Sequence, residues 1–178
     1  MKIIQRLFGV LTFKADVYSE IIDHSSLWKE SAIFIVIAAS VNCFFFNGAN
    51  GFTSQSLARF VAPFISWFLS GYLCALFLKT IYNVSIPETS VMKIVGYAQP
   101  FSLVGFHLGR WNLTNPFINL LTSLLGSVLL FLFYFAILIG IRVKSRVSIG
   151  KALIVLVLSF LIISIVQFVA AKLIITLF

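Results

Sequence analysis

The chain of 178 residues is 61% apolar and only 10% charged, against the roughly 45–50% apolar usage of soluble domains; that leaves too little polar surface for an aqueous fold and indicates an integral membrane protein. Closed β-barrels are excluded, because barrel strands alternate in character over about ten residues whereas these segments stay apolar on every side for longer. The formal charge of +8 is scattered as short flanks between apolar runs, which suits orientation and anionic headgroups and leaves no basic, aromatic face to follow a phosphate backbone, so no nucleic-acid partner is expected.

Residues 1–30 lack the uninterrupted apolar core and small-residue cleavage site of a secretory signal. Ile4, Leu7, Phe8, Leu11, Ala15, Tyr18 and Ile22 recur at helical spacing, with Lys2, Gln5, Thr12, Asp16, Ser19 and Asp23 opposite and Lys14 badly placed near the apolar edge. The spacing predicts one amphipathic helix. Its placement is either in the plane of the interface, with Lys2, Arg6 and Lys14 near headgroups, or folded back on the cytoplasmic ends of the bundle, with Asp16, Glu20 and Asp23 free to pair with basic loops.

Residues 31–178 then read as a single membrane bundle. The first span is Ser31 to Phe46, opened by Trp28 and Lys29 and closed by NGANG. The second runs from Phe60 to about Tyr82, with Arg59 before it, Lys79 near its far end and Pro63 in its first turn; Ser66, Ser70, Gly71 and Ala75 allow a neighbour close approach. After a polar connection from Asn83 to Lys93 comes the weakest segment, Ile94 to Gly109, which is short for the roughly 20 residues of a spanning helix and carries Gln99 and Pro100. The fourth span is Phe117 to Ile141, with Thr122 and Gly126, and Ser123 and Ser127, as small pairs four apart. A basic loop from Arg142 to Lys151 leads to the last span, Leu153 to Ala171.

Charge decides whether the weak segment crosses. If all five segments cross with the N-terminus inside, ten Lys and Arg residues lie on the cytoplasmic side and only Arg59, Arg110 and Lys172 outside; if the third merely dips in and returns, the split is eight to five. Cytoplasmic excess of Lys and Arg selects five crossings. The expected fold is therefore all-α, with five transmembrane helices in one bundle behind an N-terminal interfacial helix. Pro100 supplies no N–H, so the expected break in the third span leaves the Gly96 carbonyl in need of another donor.

At GYAQP, residues 96–100, a family resemblance begins. A Gly-Tyr followed closely by Pro in the third span, a basic loop before the last, about five spans in a chain of this size, and the N-terminal stretch GVLTFKADVYSEII together resemble the Ypt-interacting-protein (Yip) domain family. The compact N-terminus is similar to that of its bacterial-type members. The resemblance implies a five-span fold in the cell's inner membrane with a cytoplasmic N-terminus and an outward C-terminus, in agreement with the charge count. The Asp-Leu-x-Gly-Pro motif of the eukaryotic members is absent, so their Rab-type GTPase binding does not carry over.

Catalytic constellations are hard to assemble. All five acids, Asp16, Glu20, Asp23, Glu30 and Glu88, lie outside the expected spans, which removes an intramembrane carboxylate for proton or cation transfer. His24 and His107 are expected on opposite sides, so they share no metal site, and Cys43 and Cys74 both fall inside apolar segments, where a disulfide between them is unsupported. No Gly-x-Ser-x-Gly or phosphate-binding glycine loop is present, and no cofactor or metal is expected. The candidate residues are Gly96, Tyr97, Gln99 and Pro100, as a packed kink or a small polar cavity, and His107 with Arg110, as a span end or a contact for an anionic headgroup. The expected function is non-enzymatic, through lipid or protein contacts; the alternative is a small channel or carrier for a neutral or lipid-like solute. A polar cavity reaching both Gln99 and Tyr97 from one side would favour transport, and a closed bundle would favour contact.

Overall fold

The computed structural model describes residues 2–45, 53–108 and 115–177, and its regular elements there are helices alone. They are α1 (Ile3–Leu11), α2 (Ala15–Asp23), α3 (Leu27–Phe45), α4 (Ser54–Tyr82), α5 (Glu88–Leu108), α6 (Pro116–Ser145) and α7 (Ile149–Leu177). Windows in α3, α4, α6 and α7 are long and apolar enough to cross a membrane. Their outward side chains, among them Phe44, Phe68, Leu124, Phe131, Leu161 and Phe168, are more than half exposed, as lipid-facing surface must be where no water competes for burial.

Local chemistry sets the helix ends. Thr53 caps α4, its hydroxyl accepting from the Ser56 N–H at 3.3 Å while Ser56 Oγ accepts from the Thr53 N–H at 3.0 Å, a reciprocal capping box that satisfies two otherwise orphan donors. Asn115 Oδ1 accepts from the N–H groups of Phe117 and Ile118, with Pro116 opening α6. Because α4 starts at Ser54, Pro63 is inside the helix and not in its first turn as the sequence suggests. The capping signal at Thr53 precedes the apolar run by about two turns, and an apolar window cannot see it.

The N-terminal segment is two helices where one was expected. The chain turns between them at Phe13, in the left-handed region at φ 55°, an unfavourable place for a bulky residue. Its ring meets Phe135 of α6 edge-on at 4.8 Å. Breaking the helix there removes the awkward Lys14 from the apolar face and lets α2 turn Val17, Tyr18, Ile21 and Ile22 into the bundle. Thus α2 is folded back against α5 and α6, while α1 keeps Ile3, Ile4 and Phe8 exposed.

At the centre lies α5, the weakest apolar segment. Every residue from Ser90 to Gln99 is buried, enclosed by α3, α4 and α6 along its length and by α1 and α2 at one end. It is neither short nor interrupted: it begins at Glu88, whose charge suits a helix N-terminus, and runs through Pro100. A proline removes one helical hydrogen bond, and here the segment stays helical through that loss, packed among its neighbours. Glycines permit the enclosure. Gly96 lies against Ser31 of α3, Gly71 of α4 against Met92, Gly140 of α6 against Ile94, and Gly105 against the backbone of α6 at Gly126, which uses two of the small-residue positions foreseen from sequence, Gly71 and Gly126. Cys43 and Cys74 are free, and Cys74 Sγ donates instead to Ser159 Oγ of α7 at 3.3 Å.

Candidate functional site

Two polar regions flank the middle of α5, and the candidate residues divide between them. Tyr97 and Gln99 are two steps of about 100° apart on the helix, so they point to opposite sides. Gly96 serves the α3 contact: Ser31 Oγ donates to the Met92 carbonyl at 3.1 Å, and Trp67 Nε1 of α4 donates to the same oxygen at 2.6 Å.

On the Tyr97 side is a knot of charge. Arg6 of α1 donates from Nε to Glu20 of α2 at 2.8 Å and from Nη1 to both oxygens of Glu30 of α3 at 3.0 and 2.8 Å. The fully buried Tyr97 closes it, its hydroxyl donating to Glu30 Oε2, so four helices meet on one guanidinium. One turn away, Lys93 donates to the carbonyls of Ile22 and, at 3.0 Å, His24. It places an ammonium on the C-terminal carbonyls of α2, where the helix dipole is negative. The sequence places Lys93 in an exposed connection; it is 5% exposed, because α5 starts a turn and a half earlier than hydropathy suggests. Lys144 Nζ and Asp23 Oδ1, 3.0 Å apart, pair the acidic end of α2 with the basic end of α6.

These groups form a latch between the N-terminal helices and the bundle, and it depends on pH. The Arg6 guanidinium, by its hydrogen bond to Glu20, holds that carboxyl below its ordinary value of 4.5. A carboxylate with a depressed folded value contributes stability that is fully present above the unfolded value and lost as pH falls through the folded one. Docking of α1 should therefore be constant from pH 8 to 5 and weaken below about 4.5. Spin labels at Gln5 and Ser148, both exposed, should give one distance throughout the upper range and a broadened, longer one in acid; a distribution unchanged at a pH where Glu20 is protonated would contradict the assignment.

On the Gln99 side is a cavity of about 330 Å³ between α3, α4, α5 and α7. Its polar lining comprises Asn42, Arg59, Ser66, Gln99, Ser102 and Gln167. Gln167 ties α7 to α4, donating to the Ala62 carbonyl at 2.9 Å and to Ser66 Oγ at 2.6 Å, whereas the buried Oδ1 of Asn42 has no hydrogen-bond partner among the described residues. Sequence reasoning found Gln99 as a polar residue in an apolar run. It missed Asn42 and Gln167, although both are lone amides within apolar segments and carry the same signal. Pro100 follows Gln99 without lining the cavity, and Pro63 does line it. His107 sits part-buried in the last turn of α5, and Arg110 lies outside the described residues. Among the described residues, His, Cys, Asp and Glu side chains nowhere gather in threes as a metal site would need. No protein-family model, curated protein or solved structure matches the chain.

Proposed function

We propose that this chain is a five-span, non-enzymatic membrane protein, Yip-like in architecture, that works by binding a lipid or protein partner and not by conducting a solute. The observation that carries the reading is where the cavity stops. Its lining on α5 begins at Gln99, whereas Tyr97, with no exposed surface, turns its hydroxyl to Glu30 on the opposite side of α5, so the cavity meets Gln99 and does not include Tyr97. A conducting path would need polar, accessible groups beyond Gln99. Crossing by α5 is supported by its enclosure, since a helix surrounded by protein needs little lipid-facing hydrophobicity of its own. The charge distribution then puts the N-terminus in the cytoplasm and the C-terminus outside the inner membrane, with the exposed Ile3, Ile4 and Phe8 of α1 in the cytoplasmic interface.

One reconstituted preparation tests both parts. Single cysteines at Glu88 and Ser148, in a background without Cys43 and Cys74, should be labelled from the same side of sealed vesicles, and one at Gln55 from the other. Glu88 and Ser148 on opposite sides would mean that α5 does not cross. Glycerol and small-anion flux into the same vesicles should equal that of protein-free ones, and a protein-dependent flux would establish the channel or carrier in place of the contact role.

A further inference from the structure

We infer that the pocket where α2, α6 and the turn into α7 meet is a binding site for an anionic phospholipid of the cytoplasmic leaflet, with its headgroup phosphate held by Arg142 and Arg146. This rests on the contact role and the topology proposed above and names the ligand class.

Charge comes first. Arg142 and Arg146 line one cavity of about 570 Å³, with Ser148 beside them and no acid among the described lining residues. Their neighbours Lys144 and Lys151 are engaged elsewhere, by Asp23 at 3.0 Å and by the Tyr82 ring at 5.2 Å. Neither Arg142 nor Arg146 enters an ion pair among the described residues. Asp16 follows the lining residue Ala15 in sequence, yet it belongs to a separate groove together with Lys14. Two guanidiniums without a counter-charge attract an anion, and their planar forks fit phosphate oxygens. Arg146 closes α6 in the left-handed region at φ 55°, where glycine would sit without strain.

Level comes second. The apolar run of α6 ends at Ile141, and Arg142 is the first charge after it. The helix has 30 residues, roughly 45 Å at 1.5 Å per residue, so Arg142 lies about 17 Å from its middle and Ile139 about 13 Å. A hydrocarbon core about 30 Å thick ends between them. The pocket therefore straddles the level where acyl chains give way to phosphate, and its wall is mixed to match: Phe13 and Ile139 are apolar, Arg142, Arg146 and Ser148 polar.

Shape comes third. Phe131, Phe135 and Ile139 follow at intervals of four and so form one stripe along α6, whose upper member lines the pocket. The rings of Phe131 and Phe135 stack with centroids 5.9 Å apart, and Phe13 meets Phe135 edge-on at the pocket's side. Phe131, at the middle of the helix, is 65% exposed. An acyl chain laid on this stripe brings its phosphate to the two arginines. An acidic segment of a soluble partner would meet the arginines alone and leave the stripe unused, so the stripe selects the lipid.

The test uses the full chain in detergent, titrated with phosphatidylglycerol or phosphatidylcholine of identical chains and read by native mass spectrometry and thermal unfolding. Phosphatidylglycerol should bind at least about tenfold more tightly, since two arginines favour net negative charge and oppose the choline cation. In Arg142→Gln/Arg146→Gln the preference should disappear. Lys29→Gln/Lys151→Gln removes the same charge from exposed positions outside the pocket and should keep it. Ser148→Asp sets a carboxylate against the arginines while retaining a residue type that caps α7; it should lose the preference as well, and it decides the matter if the arginine variant does not fold. Equal affinity for the two lipids in the wild type would overturn the inference. So would equal loss in the two double variants, which is the signature of diffuse surface charge. Displacement of bound phosphatidylglycerol by millimolar glycerol phosphate would assign the pocket to a free anion, and displacement by a polyglutamate peptide to an acidic protein; either would overturn the lipid. Flux and labelling sidedness are read separately in vesicles, so failure of the contact role and failure of this ligand assignment remain distinct.

Discussion

Gly96→Val should yield little or no folded protein. A Cβ at residue 96 would sit 2.8 Å from both the Cβ and the backbone carbonyl of Ser31, closer than carbon atoms tolerate, and a backbone carbonyl cannot rotate aside. Relief requires α5 to retreat from α3. That movement breaks the Ser31–Met92 hydrogen bond and pulls Tyr97 from Glu30, so the latch is lost with the packing. Overpacking alone costs about 1–3 kcal/mol and more when backbone must shift, in a bundle where close helix approach is the principal source of association. Gly96→Ala should show a smaller loss of the same kind. Gly150, with nothing within 4 Å of its position, is the control, and Gly150→Ala should be neutral or stabilising by up to about 1 kcal/mol through helix propensity. Size-exclusion profiles and melting curves of the three variants check this. Wild-type yield and stability for Gly96→Val would show that the α3–α5 contact is looser than described.

Lys93→Met should release the N-terminal helices while the bundle stays folded. The ammonium holds the carbonyls of Ile22 and His24, and methionine fills much of the same volume without a donor. Charge-assisted hydrogen bonds contribute about 1.5–3 kcal/mol, and the carbonyls left behind sit at a helix end with no other cation donating to them. A loss of about 2 kcal/mol corresponds to roughly thirtyfold faster amide exchange in α2. Exchange in α4 and α7 should not change, because neither packs against the N-terminal helices, which lie on α5 and α6. Protection of α2 equal to wild type would mean that the buried face of Val17, Tyr18, Ile21 and Ile22 suffices to hold it.

Apolar run length is a local property, and so the four strongly apolar helices were legible in the sequence, with ends displaced wherever a cap such as Thr53 lay outside the apolar window. The split of the N-terminal segment was foreshadowed only by the awkward position of Lys14. Its cause is the seat that Phe135 offers to Phe13, which lies more than a hundred positions away. Gln99 was recognisable as a binding candidate because an amide in an apolar helix is costly unless something meets it. The cavity it lines was not, since Asn42, Arg59 and Gln167, which line it too, come from three other helices.

By itself the sequence determined the membrane environment and the helical class, because each follows from the transfer energies of residues taken one stretch at a time, whereas Glu30, expected before the first span, lies inside the apolar helix α3. Tertiary structure alone decided that the least apolar segment is the innermost. Hydropathy measures what a helix needs to face lipid, and α5, walled in by its neighbours, is relieved of that need and spends its surface on glycine contacts and on side chains such as Lys93, Tyr97 and Gln99. Tertiary structure also decided that Arg6, Glu20, Glu30 and Tyr97 form one latch, for a pairing between residues as far as 67 positions apart leaves no local trace until the helices that carry them have packed.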